Sequence, residues 1–254
     1  MKHIISFSGG MGSFAEAKSC CDEYGIDNVK LLFADTKIED VDLYRFIGEC
    51  VEFLGCELEV IADGRTPFQV FKDVKFMGNT RVDPCSLHLK RNLINNKIIT
   101  EYLPEEVNVH LGLDYSECHR LTGVQDRMVP YIYRSTLIEN GRIVHKSYSE
   151  TFGIKRPRLY DWGLGHNNCG GFCPKAGLGH YKALFKANRE RYVDFELAEL
   201  EVNNEIGEKY PFLRKSVNGV KNYITLQEYR VDYLERDLVT EDESMEFGGC
   251  GCAI

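Results

Sequence analysis

No stretch of this 254-residue chain is apolar for long enough to cross a membrane as a helix. No export signal is expected from the opening residues either: MKHIISF carries one lysine and runs into a glycine-rich turn without an apolar segment between. Basic excess is absent. The 31 Lys and Arg face 39 Asp and Glu, a formal net charge of −8, which argues against a nonspecific nucleic-acid binder held by a positive surface. Internal repeats are absent too. What the chain does hold is a 43% hydrophobic content, enough for a sizeable core, and ten cysteines. Ten thiols without an export signal predict a cytoplasmic protein, where clustered cysteines bind metal or do redox chemistry more often than they form structural disulfides.

The chain is organised around HIISFSGGMGS, residues 3–13. A run of β-formers drives into glycines, and FAEAKSCCDEY reads as a helix with Ser13 as its cap. Strand, glycine turn and helix form a phosphate-binding layout, because the turn points backbone N–H groups inward and the helix N-terminus adds partial positive charge. Ser8, Gly9, Gly10, Gly12 and Ser13 are the candidate binding residues, with a plain strand-to-helix turn as the competing reading. VKLLFAD (29–35) is apolar throughout, as expected of a parallel strand buried on both faces. Residues 38–55 carry a helical stripe, 57–64 a third strand, 67–74 a short helix begun by Pro67, 86–103 a longer helix and 107–114 a fourth strand. This alternation predicts a doubly wound parallel α/β sheet with ligands outside the strands' carboxyl ends, where Asp35 and Asp114 also fall.

Residues 131–149 read as a hairpin turning at Asn140-Gly141. LYDWGLGHNNCGGFCPKAG (159–177) is loop-rich; a helix from His180 to Tyr210 and another over TLQEYRVDYLE follow. The expected organisation is a nucleotide-binding domain over 1–158, a cysteine- and histidine-bearing helical extension over 159–240, and a flexible Gly/Cys tail over 241–254.

Several segments resemble one family. SFSGGMGS resembles the SGGxDS loop of the PP-loop ATP pyrophosphatases, and FADTKIED resembles the DTxxE segment of the phosphoadenosine phosphosulfate (PAPS) reductase branch. DPCSLHLK (83–90), LGLDYSECHR (111–120) and RLYDWG (158–163) are similar to that branch's later segments, in the family's order, so the resemblance spans residues 3–200. It departs at the loop: Gly12 stands where the family usually has Asp, and Met11 where it often has Lys. The resemblance implies an adenine nucleotide α-hydrolase fold binding ATP or a related nucleotide with Mg²⁺. Asp35 is placed for Mg²⁺ or a ribose hydroxyl, and Thr36 stands beside it; Glu39 is read as a helix cap. Lys90 and Arg120 would neutralise anionic oxygens, with Glu117 orienting Arg120 or a metal.

The segment HNNCGGFCPKAGLGH places Cys169 and Cys173 on a glycine-flanked turn, a layout for two thiolates on one metal. Cys85, which the resemblance favours, His166, His180, or the tail cysteines Cys250 and Cys252 would complete the set. A [4Fe–4S] cluster on Cys85, Cys169 and Cys173 and a zinc ion with a histidine are the two expectations, against reduced cysteines in a glycine-rich turn. Cys250, on the terminal glycine arm, is placed to attack a bound nucleotide or to meet a thiol redox partner. Three functions follow. The first is an ATP-dependent, pyrophosphate-releasing modification or sulfur-transfer enzyme, whose acceptor is a nucleobase, tRNA, DNA or a small molecule. The second is a sulfonucleotide reductase, and the third a nucleotide-binding module without turnover. A homo-oligomer is compatible with each.

Overall fold

The computed structural model describes residues 1–79, 82–217 and 220–246. Cys250 and most of the terminal tail lie outside the described residues. In chain order the elements are β1 (Lys2–Ser6), α1 (Met11–Tyr24), β2 (Val29–Ala34), α2 (Val41–Leu54), β3 (Glu57–Ile61), α3 (Pro67–Val74), α4 (Pro84–Ser86), α5 (Asn92–Glu101), β4 (Val107–Leu111), α6 (Cys118–Met128), β5 (Ile132–Arg134) and α7 (Thr136–Glu139). They continue through α8 (Arg158–Asp161), α9 (Leu178–Ala187), α10 (Arg189–Ile206), β6 (Leu213–Val217), β7 (Val220–Ile224), α11 (Leu226–Tyr229) and α12 (Glu241–Ser244).

The first five strands form an all-parallel sheet in the order β3-β2-β1-β4-β5. The chain winds from β1 to β3 in one direction and then returns to place β4 on the other side of β1. The reversal between β1 and β4 is a topological switch point, where doubly wound sheets open a crevice at their carboxyl ends. Buried Phe14, Phe46 and Ile47 of α1 and α2 cover one face; Ile94 and Ile98 of α5 and Leu121 and Val124 of α6 cover the other. β2 is buried on both sides, which explains its unbroken apolar sequence.

A third apolar cluster joins Phe71 of α3 and Leu89 to Leu159, Phe172, Tyr181, Tyr192 and Tyr229. The C-terminal segment therefore shares a core with the crossover between β3 and β4. That packing carries the loop of Cys169 and Cys173 toward the sheet edge.

Several local expectations are corrected. Gly10, not Ser13, occupies the N-cap of α1; Ser13 lies inside the helix and its hydroxyl donates to the Gly10 carbonyl. The expected hairpin over 131–149 is absent: β5 pairs parallel to β4, and Asn140-Gly141 ends α7, Gly141 taking a left-handed φ of 61°. The long C-terminal helix breaks at Asn188, whose side chain accepts from the Arg191 N–H and starts α10. The longer helix expected from residue 86 opens with a widened π turn over Leu87–Arg91 before α5. The antiparallel pair β6–β7 had no counterpart in the sequence reading.

Candidate functional site

Between β1 and α1 the backbone turns through Gly9, at φ 73°, where a side chain would run into Leu43. α1 then presents an N-terminus with no acidic residue in its first turn. The Ser13 hydroxyl donates to Gly10, and Ser8 donates to Ser13 at 3.3 Å, so both serines brace the turn. A Cβ on Gly12 would stand 2.3 Å from the Gly112 carbonyl oxygen, and one on Gly112 would stand 2.3 Å from the Ser13 nitrogen. The two backbones cross at the switch point with no room for a side chain on either. Gly12 is thus demanded by packing, and an aspartate has no space there.

At the end of β2, the Asp35 carboxylate accepts from the Lys37 backbone N–H, the Lys37 ammonium and the Tyr44 hydroxyl, all within 2.9 Å. Burial alone would raise this carboxyl, but those hydrogen bonds hold it below the usual value. Next to it, Glu39 is fully buried and gathers three partners. Thr36 donates to it at 2.9 Å, the Cys169 backbone N–H donates to its second oxygen, and the Lys90 ammonium lies 3.5 Å away. Thr36 also stands 3.8 Å from the Cys169 sulfur. The expectation that Glu39 caps α2 is corrected: Asp40 is the cap, accepting from Asp42 N–H.

Asp40 also receives Arg158 and Arg191, whose guanidinium groups lie 5.4 and 5.1 Å from the Trp162 ring centroid. Burial would raise the Asp40 carboxyl, yet the two arginines hold it below its ordinary value. Arg191 bonds the Gly170 carbonyl in addition. Cys169, Gly170 and Gly171 all take left-handed conformations, and a Cβ on Gly170 would meet the Ile38 carbonyl at 2.5 Å. The cysteine loop is therefore seated backbone to backbone on the segment after β2.

The same loop reaches the glycine turn. Asn167, 1% exposed, donates to the Gly9 carbonyl at 3.2 Å, and its own Oδ1 is buried without a partner. Both ring nitrogens of His166 are likewise shut off without a partner, and its ring stacks on His180 at 4.9 Å. Buried polar atoms are rarely left unpaired, and these stand together beside the glycine turn.

A cavity of about 300 Å³ opens at the switch point, between Ser6 at the end of β1, Leu111 at the end of β4 and Tyr133 of β5. Lys90, Arg91 and Arg127 line it. Glu117 and Arg120 pair with each other on the first turn of α6, both partly exposed. Cys85 and Cys173 are buried in the third apolar cluster. A single zinc ion with thiolates about 2.3 Å away requires ligand atoms packed close together. Among the described residues, Cys85, Cys169, Cys173 and His166 supply no three such atoms within 4.8 Å of one another.

Among the described residues one compact trio of that kind exists, formed by Glu16, Cys20 and His110. Glu16 accepts from the Thr136 and Leu137 N–H groups, the Thr136 hydroxyl and His110 Nδ1, while His110 Nε2 meets His3 at 3.0 Å. Burial, with Glu16 beside it, pushes the Cys20 thiol up and keeps it protonated. The trio is a closed polar network that ties α1 to β4 and α7.

The fold and these contacts define a doubly wound parallel α/β protein whose polar groups converge on the carboxyl edge of its sheet. No family model matches the chain, and no curated protein matches it. Among solved structures, an NH3-dependent NAD synthetase from Campylobacter jejuni subsp. jejuni NCTC 11168, in complex with nitrate, is similar at 12% identity and a TM-score of 0.39, over 81% of this chain and 83% of that one. At that level the likeness carries no argument about function, and the fold class rests on the strand order itself.

Proposed function

We propose that the chain is a PP-loop enzyme that binds an adenine nucleotide at the sheet edge and uses it to adenylate an acceptor. The acceptor's oxygen attacks the α-phosphorus of ATP, the bond from that phosphorus to the bridging oxygen breaks, and pyrophosphate leaves with the electron pair. The observation that carries this reading is the braced glycine turn at the carboxyl end of β1, where the strand order reverses between β1 and β4, followed by a helix N-terminus that Gly10 leaves without a side-chain cap and whose first N–H meets the Tyr160 hydroxyl at 3.5 Å. Lys90, Arg91 and Arg127 line the cavity beside Ser6 and Leu111, Lys90 next to Glu39 and Arg91 paired with Asp83, and are the cations nearest that reversal for an anionic oxygen to meet. Asp35 already serves Lys37 and Tyr44, so Mg²⁺ is best held through the nucleotide's own phosphates, as that ion prefers.

Calorimetric titration with Mg²⁺·ATP, AMP and adenosine 3′,5′-bisphosphate tests the reading. Saturable binding of ATP, with the bisphosphate weaker, supports it. Failure of all three to bind overturns it.

A second reading, sulfur transfer or sulfonucleotide reduction through a cysteine, is favoured by Cys169 standing against Thr36 and Glu39, with Lys90 on the far side of that carboxylate. Preferential binding of the bisphosphate, or iron and acid-labile sulfide lost on Cys169→Ala in anaerobically purified protein, would move the weight to it.

A further inference from the structure

The cavity of about 300 Å³ at the switch point joins an apolar wall to a cationic one. Ile94, Leu111 and Val124 form the apolar part, and all three belong to the buried cluster on that face of the sheet. Among the residues that line it are three cations and no acid. Lys90 stands beside Glu39 and Arg91 bonds Asp83, so two of those charges are answered within the protein. Arg127 differs: it is exposed in the last turn of α6 and, among the described residues, joins no ion pair. Asn95 adds a second donor. The Tyr133 hydroxyl donates to its Oδ1 at 2.7 Å, and burial pushes that phenol up, so it keeps its proton. With its oxygen engaged, the amide turns its nitrogen to the sulfur of Met128, the residue after Arg127, at 3.4 Å. A thioether is a weak acceptor, which an anionic oxygen displaces.

An unanswered guanidinium and an oriented amide N–H beside an apolar wall match an oxygen anion carried on a nonpolar body. Arg127 is exposed and Asn95 half-buried, so a ligand reaches both. One guanidinium balances the single charge of a carboxylate and meets its two oxygens with a fork of N–H groups, whereas a phosphate dianion leaves one charge over. The volume is at the small end for ligand pockets and suits a compact molecule. We infer that this cavity holds the acceptor of the adenylation, and that the acceptor is a small organic acid whose carboxylate meets Arg127 and Asn95 while its body covers Leu111 and Val124. The acceptor role rests on the adenylation reading; the acid site itself rests on the cavity alone.

The test is a ¹H–¹⁵N NMR titration of the full chain at neutral pH with benzoate, with benzyl alcohol as the uncharged control and phenyl phosphate as the dianion, each with and without saturating Mg²⁺·ATP. The expected result is saturable shifts at the Asn95 side-chain amide and the Val124 backbone amide. Benzyl alcohol should bind at least about ten-fold more weakly, phenyl phosphate no more tightly than benzoate, and benzoate should stay bound beside ATP. Arg127→Gln, at an exposed position without an ion pair, keeps the fold and should weaken benzoate at least about ten-fold. Equal binding of benzyl alcohol, tighter binding of phenyl phosphate, an unaffected Arg127→Gln protein, or no saturable shift would each overturn the inference. Displacement of benzoate by ATP would also overturn it, giving the cavity to the nucleotide and leaving the adenylation reading in place. Benzoate binding without any ATP-induced shift over residues 8–14 would instead remove the adenylation reading, and the acceptor role with it.

Discussion

Substituting Gly12 tests whether the loop's departure from the family pattern is imposed by this fold. A Cβ at that position stands 2.3 Å from the Gly112 carbonyl oxygen, well inside van der Waals contact, and the obstacle is backbone. Relief requires α1 to move away from the end of β4. Both sides are pinned, by the β1–β4 register through Ser6 and Leu111 and by the hydrogen bonds from Glu16 to Thr136 and Leu137. Overpacking without room to relax costs about 3 kcal/mol. At this chain length that lowers the melting temperature by roughly 6–12 °C. Gly12→Ala and Gly12→Asp, followed by thermal and urea unfolding, should both show the loss. Gly48→Ala is the control: it lies inside α2 with nothing within 4 Å, so it should gain up to about 1 kcal/mol from helix propensity. Gly12 variants as stable as the parent, or a Gly12→Asp protein that gains nucleotide affinity at no cost in stability, would refute the reasoning.

Other outcomes follow from the buried charges. Lys90→Ala leaves Glu39 charged and fully enclosed, and should cost about 3 kcal/mol in urea unfolding, much of it recovered in the Lys90→Met, Glu39→Gln double variant. Glu16→Ala strips the acceptor from Thr136, Leu137 and His110 and should cost at least about 3 kcal/mol, with the lost protection seen by hydrogen exchange at α7. Glu199 sets a pH dependence: its folded carboxyl titrates near 8, above its ordinary 4.5. Its stabilising effect is therefore complete below the unfolded value and is lost as pH rises toward 8, at up to about 1.4 kcal/mol per pH unit. Glu199→Gln should flatten that slope between pH 5 and about 8, as measured by unfolding midpoints.

The βα core was legible because its signals are local and agree: β-formers into glycines, an unbroken apolar β2, and Pro67 at the start of α3. Misreadings arose where one signal serves two structures. Asn140-Gly141 suits a hairpin turn as well as a helix stop, and a single capping Asn188 interrupts a helical pattern without altering its period. In β6 the buried positions are one leucine, Leu213, and one lysine, Lys215, and β7 is largely exposed, so the pair carries little apolar contrast. The motif reading groups Asp35, Thr36 and Lys90, and the fold brings Thr36 and Lys90 together on Glu39. Glu39 was misjudged because Asp40, next to it, carries the same capping chemistry. Arg191, Asn167 and the Gly12–Gly112 crossing depend on segments far apart in the chain, and no local pattern announces them.

The most direct test of nucleotide binding at the glycine turn is hydrogen–deuterium exchange with and without Mg²⁺·ATP. The account predicts slowed exchange confined to residues 8–14 and to the edge segments around Asp35–Glu39 and Gly112. Unchanged exchange over 8–14 at saturating ATP, or protection found only elsewhere, would contradict it.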